Sequence, residues 1–204
     1  MRVISGRFKG MALATPKSVT RPTTDRTKEA IFSRLDSWGV LDDARVLDLF
    51  AGTGALGVEA LSRGGRELVA VEANGPAAAL IAKTLGALKR NRAWSADLRA
   101  RVVKAKAERF VEPAHRVTGD GAAASPSAGA YDVIFIDPPY AFETEACEKL
   151  LADLASSGMA GEGTVIVLER SARSADPNPP AGWDITDRRD YGETAVFYIE
   201  RAEE

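Results

Sequence analysis

Two short segments carry the residue types that could do chemistry. Residues 46–57 read VLDLFAGTGALG, and residues 132–140 read DVIFIDPPY. Each segment begins with an apolar run of the kind that forms a buried strand, and each ends in an unusual loop. The first loop suits a nucleotide-like cofactor, whereas the second suits a planar amine.

The first loop, GTGALG at 52–57, matches the pattern G-x-G-x-x-G between a predicted strand and a predicted helix. Glycines there let the backbone approach a ligand closely, and the N-terminus of the following helix favours electron-rich groups. Glu72 ends the next predicted strand, where a carboxylate can accept hydrogen bonds from both hydroxyls of a ribose. A dinucleotide and S-adenosylmethionine fit this loop equally well.

Asp48 distinguishes between these two ligands. It lies inside the first strand, just ahead of the glycine loop. A carboxylate there would repel a pyrophosphate but attract the sulfonium and ammonium groups of S-adenosylmethionine. The sequence therefore favours S-adenosylmethionine, while a hydrogen-bonded strand residue without a ligand role is the alternative interpretation of Asp48.

The second loop is DPPY, and its four residues are the predicted catalytic group: Asp137, Pro138, Pro139 and Tyr140. The prolines fix the backbone and remove N–H donors, so the loop presents the Pro138 carbonyl and the Asp137 carboxylate as hydrogen-bond acceptors. Tyr140 offers a flat surface on which a base can stack. Two acceptors that grip an exocyclic amine can localise its lone pair and aim it at a methyl group, and Asp137 can accept the proton. These residues predict methyl transfer to a nucleobase amine, against the alternative of a rigid turn with a packed tyrosine.

An alternation of strands and helices must position the two loops. The pattern predicts strands at 45–50, 67–72, 100–104, 131–136, 163–168, 183–188 and 194–200, and helices at 55–63, 76–90, 106–112 and 142–156. It also predicts a short hairpin within 1–13, a helix from Thr24 or Asp25 to about Asp36, and a flexible surface insertion at 113–130. Apolar strands separated by helices are typical of a parallel sheet covered on both faces, and the short turn at 190–192 predicts a terminal antiparallel hairpin. Both loops then follow strands at the carboxyl edge of the sheet, where open α/β folds bind ligands.

Composition narrows the class of protein. The chain has 204 residues, 27% of them charged, and a net charge of −2, which fits one globular domain with a small appendage. Residues 1–34 contain eight lysines and arginines but only two acidic residues, so their net charge is +6 on an acidic body. A basic segment of this kind predicts a local contact with a polyanion, although an ordinary solvated face is the alternative.

The single cysteine and the single histidine exclude several kinds of site. Cys147 cannot form an intrachain disulfide, which indicates a reducing compartment, and Cys/His zinc spacing is absent, so we expect no metal. A Ser-His-Asp triad would need His115, which lies at the edge of a predicted loop. No apolar run is long enough to span a membrane, and no signal-peptide region begins the chain. We expect a cytoplasmic protein, and nothing in the sequence requires more than a monomer.

The order of the motifs resembles a known family. The series comprises RPTTDR at 21–26, KEAIF at 28–32, the glycine loop, EALSRG at 59–64, VE at 71–72 with Asn74, DPPY, and YGET at 191–194. It is similar to the bacterial 16S ribosomal RNA guanine-N2 methyltransferases, which modify a guanine in the small-subunit head. The similarity covers nearly the whole chain.

The resemblance implies an α/β class I methyltransferase fold, with a seven-stranded, mostly parallel sheet, a C-terminal antiparallel hairpin and a small N-terminal hairpin extension. It divides the chain into a basic extension at 1–22 and an S-adenosylmethionine-dependent methyltransferase domain at 23–204. The implied substrate is 16S ribosomal RNA in a 30S subunit or an assembly intermediate, with the target base flipped into the Tyr140 pocket. The implied RNA contacts are Arg2, Arg7, Lys9, Arg21, Thr23 and Arg26. The implied cofactor contacts are Asp48, Phe50, Ala51, Gly52, Gly54, Glu72, Ala73, Asn74 and Ala107.

One position departs from the family pattern. Relatives often carry an acidic residue after the third strand that reaches the adenine amino group, and Lys106 stands at that position here. A backbone group near Ala107, or a shifted role for Glu108, could replace this contact.

Three other functions stay open at the level of sequence. The amine-gripping loop would equally serve an adenine-N6 or cytosine-N4 methyltransferase acting on DNA or other RNA. The glycine loop would serve a nicotinamide-binding protein. A non-catalytic RNA-binding or assembly factor with a vestigial pocket is the third alternative.

Overall fold

The computed structural model describes residues 1–15, 25–113 and 129–203, and strands and helices alternate within these ranges. The helices are α1 (Asp25–Trp38), α2 (Ala55–Arg63), α3 (Gly75–Lys89), α4 (Ala107–Val111) and α5 (Thr144–Ser156). The strands are β1 (Arg45–Leu49), β2 (Glu67–Glu72), β3 (Arg99–Lys104), β4 (Val133–Ile136), β5 (Val165–Ser171), β6 (Trp183–Tyr191) and β7 (Thr194–Arg201). Each predicted strand and helix is present; the bounds predicted for α2 and β2 are exact, and the ends of the others are shifted.

The seven strands form one sheet in the order β3-β2-β1-β4-β5-β7-β6. Strands β1 to β5 pair in parallel, whereas β7 pairs antiparallel with both β5 and β6. This topology confirms the predicted fold class and the C-terminal antiparallel hairpin. The chain moves outward from β1 to β3 and then returns to the other side of β1 to form β4, so the order reverses between β1 and β4. Ligands of open α/β sheets bind at such a reversal, and both predicted loops follow these two strands.

Alternate side chains of the inner strands enter one of two hydrophobic cores, which is why these strands are apolar on both faces. Leu47 and Leu49 of β1 pack with α4 and α5, whereas Val46 packs with α1, α2 and α3. All three side chains are fully buried. Burial of one such leucine contributes roughly 1.5–3 kcal/mol, so the two cores hold the ends of β1 and β4 in fixed positions.

The N-terminal segment is integrated into one of these cores. Val3, Phe8 and Leu13 are buried against the helices α1 to α3, and the predicted hairpin is reduced to one antiparallel bridge between Arg2 and Ala12. The division of the chain at residue 22 stays a prediction.

Helix α2 holds the N-terminal segment through two buried polar side chains. The Glu59 carboxylate accepts hydrogen bonds from the N–H groups of Ile4 at 2.8 Å and Ser5 at 2.9 Å. The Ser62 hydroxyl accepts a hydrogen bond from the N–H of Phe8 at 2.9 Å. These contacts tie the segment directly to the helix that follows the glycine loop.

Several predicted features fall outside the described residues. These are Arg21, Thr23, the proposed Thr24 cap, His115 and most of the insertion at 113–130. Among the helices of the described residues, none is both long enough and apolar enough to cross a membrane.

Candidate active site

A cavity of about 940 Å³ opens at the carboxyl edge of the sheet, beside the ends of β1, β2 and β4. It brings together most of the residues that the sequence predicted: Asp48, Phe50, Ala51, Gly52, Glu72, Ala73, Asn74, Ala107, Asp137, Pro138, Pro139 and Tyr140. Gly54 is the one predicted cofactor contact that does not line the cavity. It lies at the N-cap of α2 with a φ of 74°, packed toward Ile81.

The glycine loop is held in an unusual backbone conformation. Phe50 has a φ of 57° and Gly52 a φ of 56°, and only the glycine adopts this region without cost. The Ala51 N–H donates to the Val71 carbonyl at 3.0 Å, and the Phe50 ring lies edge-on to the Phe142 ring, with centroids 5.1 Å apart. The strained turn is therefore fixed from both sides, and the Phe50–Phe142 contact links it to the chain that follows DPPY.

Glu72 ties the glycine loop to the next loop along the sheet edge. One carboxylate oxygen accepts a hydrogen bond from the N–H of Gly52 at 2.8 Å, and the other accepts from the N–H of Asn74 at 2.7 Å. The Asn74 side chain in turn accepts from the N–H of Ala77 at 3.0 Å and caps α3. Since each carboxylate oxygen has two lone pairs, Glu72 can position both loops and still accept bonds from a ligand.

Asp48 is buried in the wall of the same cavity. Its carboxylate accepts a hydrogen bond from the N–H of Gly57 at 2.9 Å, and only 2% of the residue is exposed. The pKa of Asp48 is raised to about 8, chiefly by burial and also by the nearby Asp137 and Glu72 carboxylates, although the Gly57 hydrogen bond acts to lower it. The folded chain thus keeps a proton that the unfolded chain loses above the ordinary pKa of 3.8. The contribution of Asp48 to stability without a ligand is therefore present below about pH 4 and is lost as pH rises toward about 8.

Gly57 allows α2 to lie against β1 and β2, and its replacement tests this packing. A Cβ at Gly57 would lie 2.5 Å from Leu68 Cδ1 and 2.9 Å from Asp48 Oδ2. We expect Gly57→Ala to lower the free energy of unfolding by about 1–3 kcal/mol, because well-packed side chains must shift. Urea denaturation followed by circular dichroism measures this change.

Gly86→Ala is the matched control, because Gly86 lies inside α3 and its added Cβ would meet only Arg90 Nη1, at 3.5 Å. This substitution should stabilise the chain by up to about 1 kcal/mol, since alanine is the better helix former. Equal effects of the two substitutions would contradict the packing argument.

The DPPY loop is anchored at its base and open at its tip. The Phe142 N–H donates to the Pro139 carbonyl at 2.8 Å, while the buried Arg170 donates to the Phe142 carbonyl at 2.6 Å and to Thr144 Oγ1 at 3.1 Å. Tyr140 is 64% exposed. The alternative of a turn with a packed tyrosine is therefore wrong, and the ring is available for stacking.

Lys106 and Glu108, which the sequence placed near the adenine, also line the cavity. The lining further includes residues to which the sequence reasoning assigned no role: Met1, Thr27, Lys28, Glu169, Arg170, Tyr191 and Thr194. Strand β5 extends three residues past its predicted end, which brings Glu169 and Arg170 to the cavity. The rule that pointed to Asp137, a polar residue after an apolar strand, would have found both of them. Lys28 is fully buried, with its Nζ 3.6 Å from the Glu59 carboxylate. Its place as the first residue of the KEAIF motif was the sequence feature that could have pointed to a role for it.

The four predicted RNA contacts that fall within the described residues do not converge on the cavity. Arg2, Arg7, Lys9 and Arg26 are exposed, but none of them lines it. Arg7 instead donates a hydrogen bond to Ser95 Oγ at 3.3 Å, near the loop between α3 and β3.

Comparisons with known proteins show similarity over nearly the whole chain. The family model described as Conserved hypothetical protein 95 matches residues 1–200. Ribosomal RNA small subunit methyltransferase D of Escherichia coli K12 is 30% identical over 202 residues, which cover 98% of this chain and 90% of that protein. An rRNA methyltransferase candidate of Bacillus subtilis, YlbH, is 35% identical over 198 residues, or 96% of each protein. The solved structure of a methyltransferase candidate from Escherichia coli, yhhF, has a TM-score of 0.78 at 30% identity and covers 98% of this chain and 97% of that one.

Proposed function

Because the chain belongs to the Conserved hypothetical protein 95 family, together with ribosomal RNA small subunit methyltransferase D, we propose that it methylates small-subunit ribosomal RNA. The family agrees with the resemblance seen in the sequence motifs. More specifically, the chain transfers a methyl group from S-adenosylmethionine to the exocyclic N2 amine of a guanine in 16S ribosomal RNA. The observation that carries this proposal is the meeting of the glycine loop and the DPPY loop in one acidic cavity.

The cavity wall suits a cationic methyl donor. Five carboxyl groups line it, those of Asp48, Glu72, Glu108, Asp137 and Glu169. They favour a ligand with sulfonium and ammonium groups and disfavour a dinucleotide, whose pyrophosphate would meet like charge. S-adenosylmethionine supplies an electrophilic methyl group when bound. Glu72 accepts hydrogen bonds from its ribose, and the backbone near Ala107 contacts its adenine.

The DPPY loop binds and orients the amine. Asp137 and the Pro138 carbonyl accept the two amine hydrogens, which localises the nitrogen lone pair, and Tyr140 stacks on the flipped base. Asp137 accepts the proton that the nitrogen loses. Arg170 holds the loop through Phe142 and Thr144, so that the acceptors stay in place.

A second candidate function uses the same loop. Asp137 and Pro138 would grip the N6 amine of adenine or the N4 amine of cytosine equally well, so the chain could methylate one of these bases in DNA or other RNA. The family favours guanine in ribosomal RNA, and identification of the methylated nucleoside decides between the candidates.

Binding of the methyl donor should release a proton from Asp48. With its pKa at about 8, Asp48 is protonated in about nine tenths of the molecules at pH 7. A cation beside it favours the carboxylate, so binding lowers the pKa and displaces the proton. We expect release of about 0.5–0.9 proton per S-adenosylmethionine at pH 7. Calorimetric titration in buffers of different ionisation enthalpy measures it.

The control is Asp48→Asn, which retains an acceptor for the Gly57 N–H but has no proton to lose. This variant should bind S-adenosylmethionine more weakly and release no proton, and the unaltered chain should release almost none at pH 9, where Asp48 is already ionised. Proton release that is unchanged in the variant would assign the effect to another group.

Methyl transfer to 30S particles from cells that lack the enzyme tests the proposed function. Radiolabelled S-adenosylmethionine is the donor, and the labelled nucleoside is identified after digestion. Label in N2-methylguanosine supports the proposal in full. Label in another base refutes the guanine assignment, and absence of label on 30S particles, naked ribosomal RNA and DNA refutes the methyltransferase assignment.

A further inference from the structure

A basic surface lies at the opposite end of the sheet from the active site. Helix α3 begins next to the carboxyl edge, after β2, and runs back to Lys89, and β3 begins at Arg99. The loop between them therefore lies at the amino edge of the sheet. A strand of six residues separates the two edges by roughly 20 Å.

The tip of the N-terminal segment packs on this loop. The Phe8 ring stacks on the Trp94 ring with centroids 6.2 Å apart, and Arg7 Nη1 donates to Ser95 Oγ at 3.3 Å. The basic side chains of the tip thus join those of the loop. We name the combined surface the far-edge patch, which consists of Arg7, Lys89, Arg90, Arg92, Trp94 and Arg99.

The five cations of the far-edge patch are exposed, and within the described residues none of them forms an ion pair. Two carboxylates lie nearby. Glu67 is paired with Arg45 at 2.8 Å, and Asp97 faces Arg7 and Arg99. In a chain with a net charge of −2, five cations against these two carboxylates form a local excess of positive charge. Arg7 and Arg99 also donate hydrogen bonds to uncharged groups of the loop, but these bonds leave their charge uncompensated.

Trp94 adds an aromatic surface to the cations. It lines a hollow of about 320 Å³ together with Lys89 and Arg99, over an apolar floor formed by Leu68 and Leu98. An aromatic ring between basic side chains is the combination that binds unpaired nucleotides, because the cations contact phosphates while the ring contacts a base.

We propose that the far-edge patch is a second RNA-binding surface, which holds the phosphate backbone of the substrate about 20 Å from the nucleotide that enters the active site. The inference rests on the proposed function, since ribosomal RNA is the polyanion it requires. Phosphate contacts position a protein on RNA without reading sequence. The patch therefore favours an RNA large enough to reach both edges of the sheet over a short oligonucleotide that carries only the target base.

A double neutralisation tests the patch. Lys89→Ala/Arg92→Ala removes two of its cations, and Lys149→Ala/Arg201→Ala removes two exposed cations from α5 and β7, away from the patch. We expect the first variant to raise the KM for 30S particles about tenfold, with kcat and the KM for S-adenosylmethionine unchanged, and the control variant to change none of these. The slope of log KM against log salt concentration should fall by about 1–2 in the first variant only.

Other outcomes overturn the inference. An unchanged KM, or an equal rise in both variants, refutes a local contact. Weaker binding to 30S particles with unchanged binding to naked 16S ribosomal RNA refutes RNA as the partner and points to a protein of the particle. If the unaltered chain transfers no methyl group, the proposed function fails, and co-sedimentation of the two variants with 30S particles still decides whether the patch binds RNA.

Discussion

Replacement of Asp137 with alanine is expected to lower kcat for methyl transfer by about 10³-fold while the Kd for S-adenosylmethionine changes only a few-fold. Asp137 lies at the end of β4, and in the proposed function it holds one amine hydrogen and accepts the proton. Loss of a positioned proton acceptor costs about 10²–10⁴ in rate, and loss of electrostatic positioning adds to this cost. Single-turnover methyl transfer and calorimetric binding of the donor measure the two quantities separately.

Asp137→Asn separates the two roles of this carboxylate. Asparagine can still accept one hydrogen bond through its amide oxygen, but it cannot take up a proton. If proton transfer is the main role of Asp137, the rate of Asp137→Asn should therefore lie close to that of Asp137→Ala. Asp184→Ala removes an exposed carboxylate of β6 and should leave the rate unchanged. A rate of Asp137→Ala within tenfold of the original would mean that Asp137 has no direct part in the reaction.

The fold could be predicted from the sequence because its signals are local and repeated. Apolar strand segments separated by helices fix a parallel sheet, and the glycine loop and DPPY follow the two strands between which the order reverses. The short turn before Thr194 is also a local signal, and it predicted the antiparallel strand pair at the end of the sheet. Of the nine predicted cofactor contacts only Gly54 lies outside the cavity wall. Gly54 is the N-cap of α2, so it shapes the start of that helix without facing the cavity.

Features that depend on contacts between distant residues could not be predicted. The sequence assigned Glu72 to a ribose, but it contains no signal that the carboxylate also joins the N–H groups of Gly52 and Asn74. It placed a negative charge at Asp48, whereas burial leaves this group protonated near neutral pH. The resemblance implied that Arg7 contacts RNA, but it did not show that the side chain lies at the amino edge of the sheet, away from the cavity, because the N-terminal segment runs along α2. Each of these properties arises only after the chain is packed.

The second large effect is expected for Glu72→Gln, which should weaken S-adenosylmethionine binding about 100-fold. One carboxylate oxygen becomes an NH₂ group that faces a backbone N–H, so a strong hydrogen bond to Gly52 or Asn74 is replaced by a donor–donor contact. Hydrogen bonds to charged groups contribute about 1.5–3 kcal/mol, and the loss of about 2.7 kcal/mol corresponds to 100-fold in Kd. Calorimetric titration measures the affinity, and circular dichroism checks that the fold is retained.

Amide hydrogen exchange tells whether Glu72 acts by positioning the loops or only by contacting the ligand. If the carboxylate holds the glycine loop, Glu72→Gln must speed exchange at the Gly52 and Asn74 amides even without a ligand, because the opening of these bonds becomes easier.

Glu108→Gln is the matched control, since Glu108 lines the same cavity but forms no hydrogen bond through its side chain to a described residue. Its affinity and exchange rates should stay close to those of the original chain. If Glu72→Gln binds the ligand more weakly but exchange is unchanged, the Glu72 carboxylate acts only by contacting the ligand. If both variants lose the same affinity, the effect of Glu72 comes only from the general negative charge of the cavity.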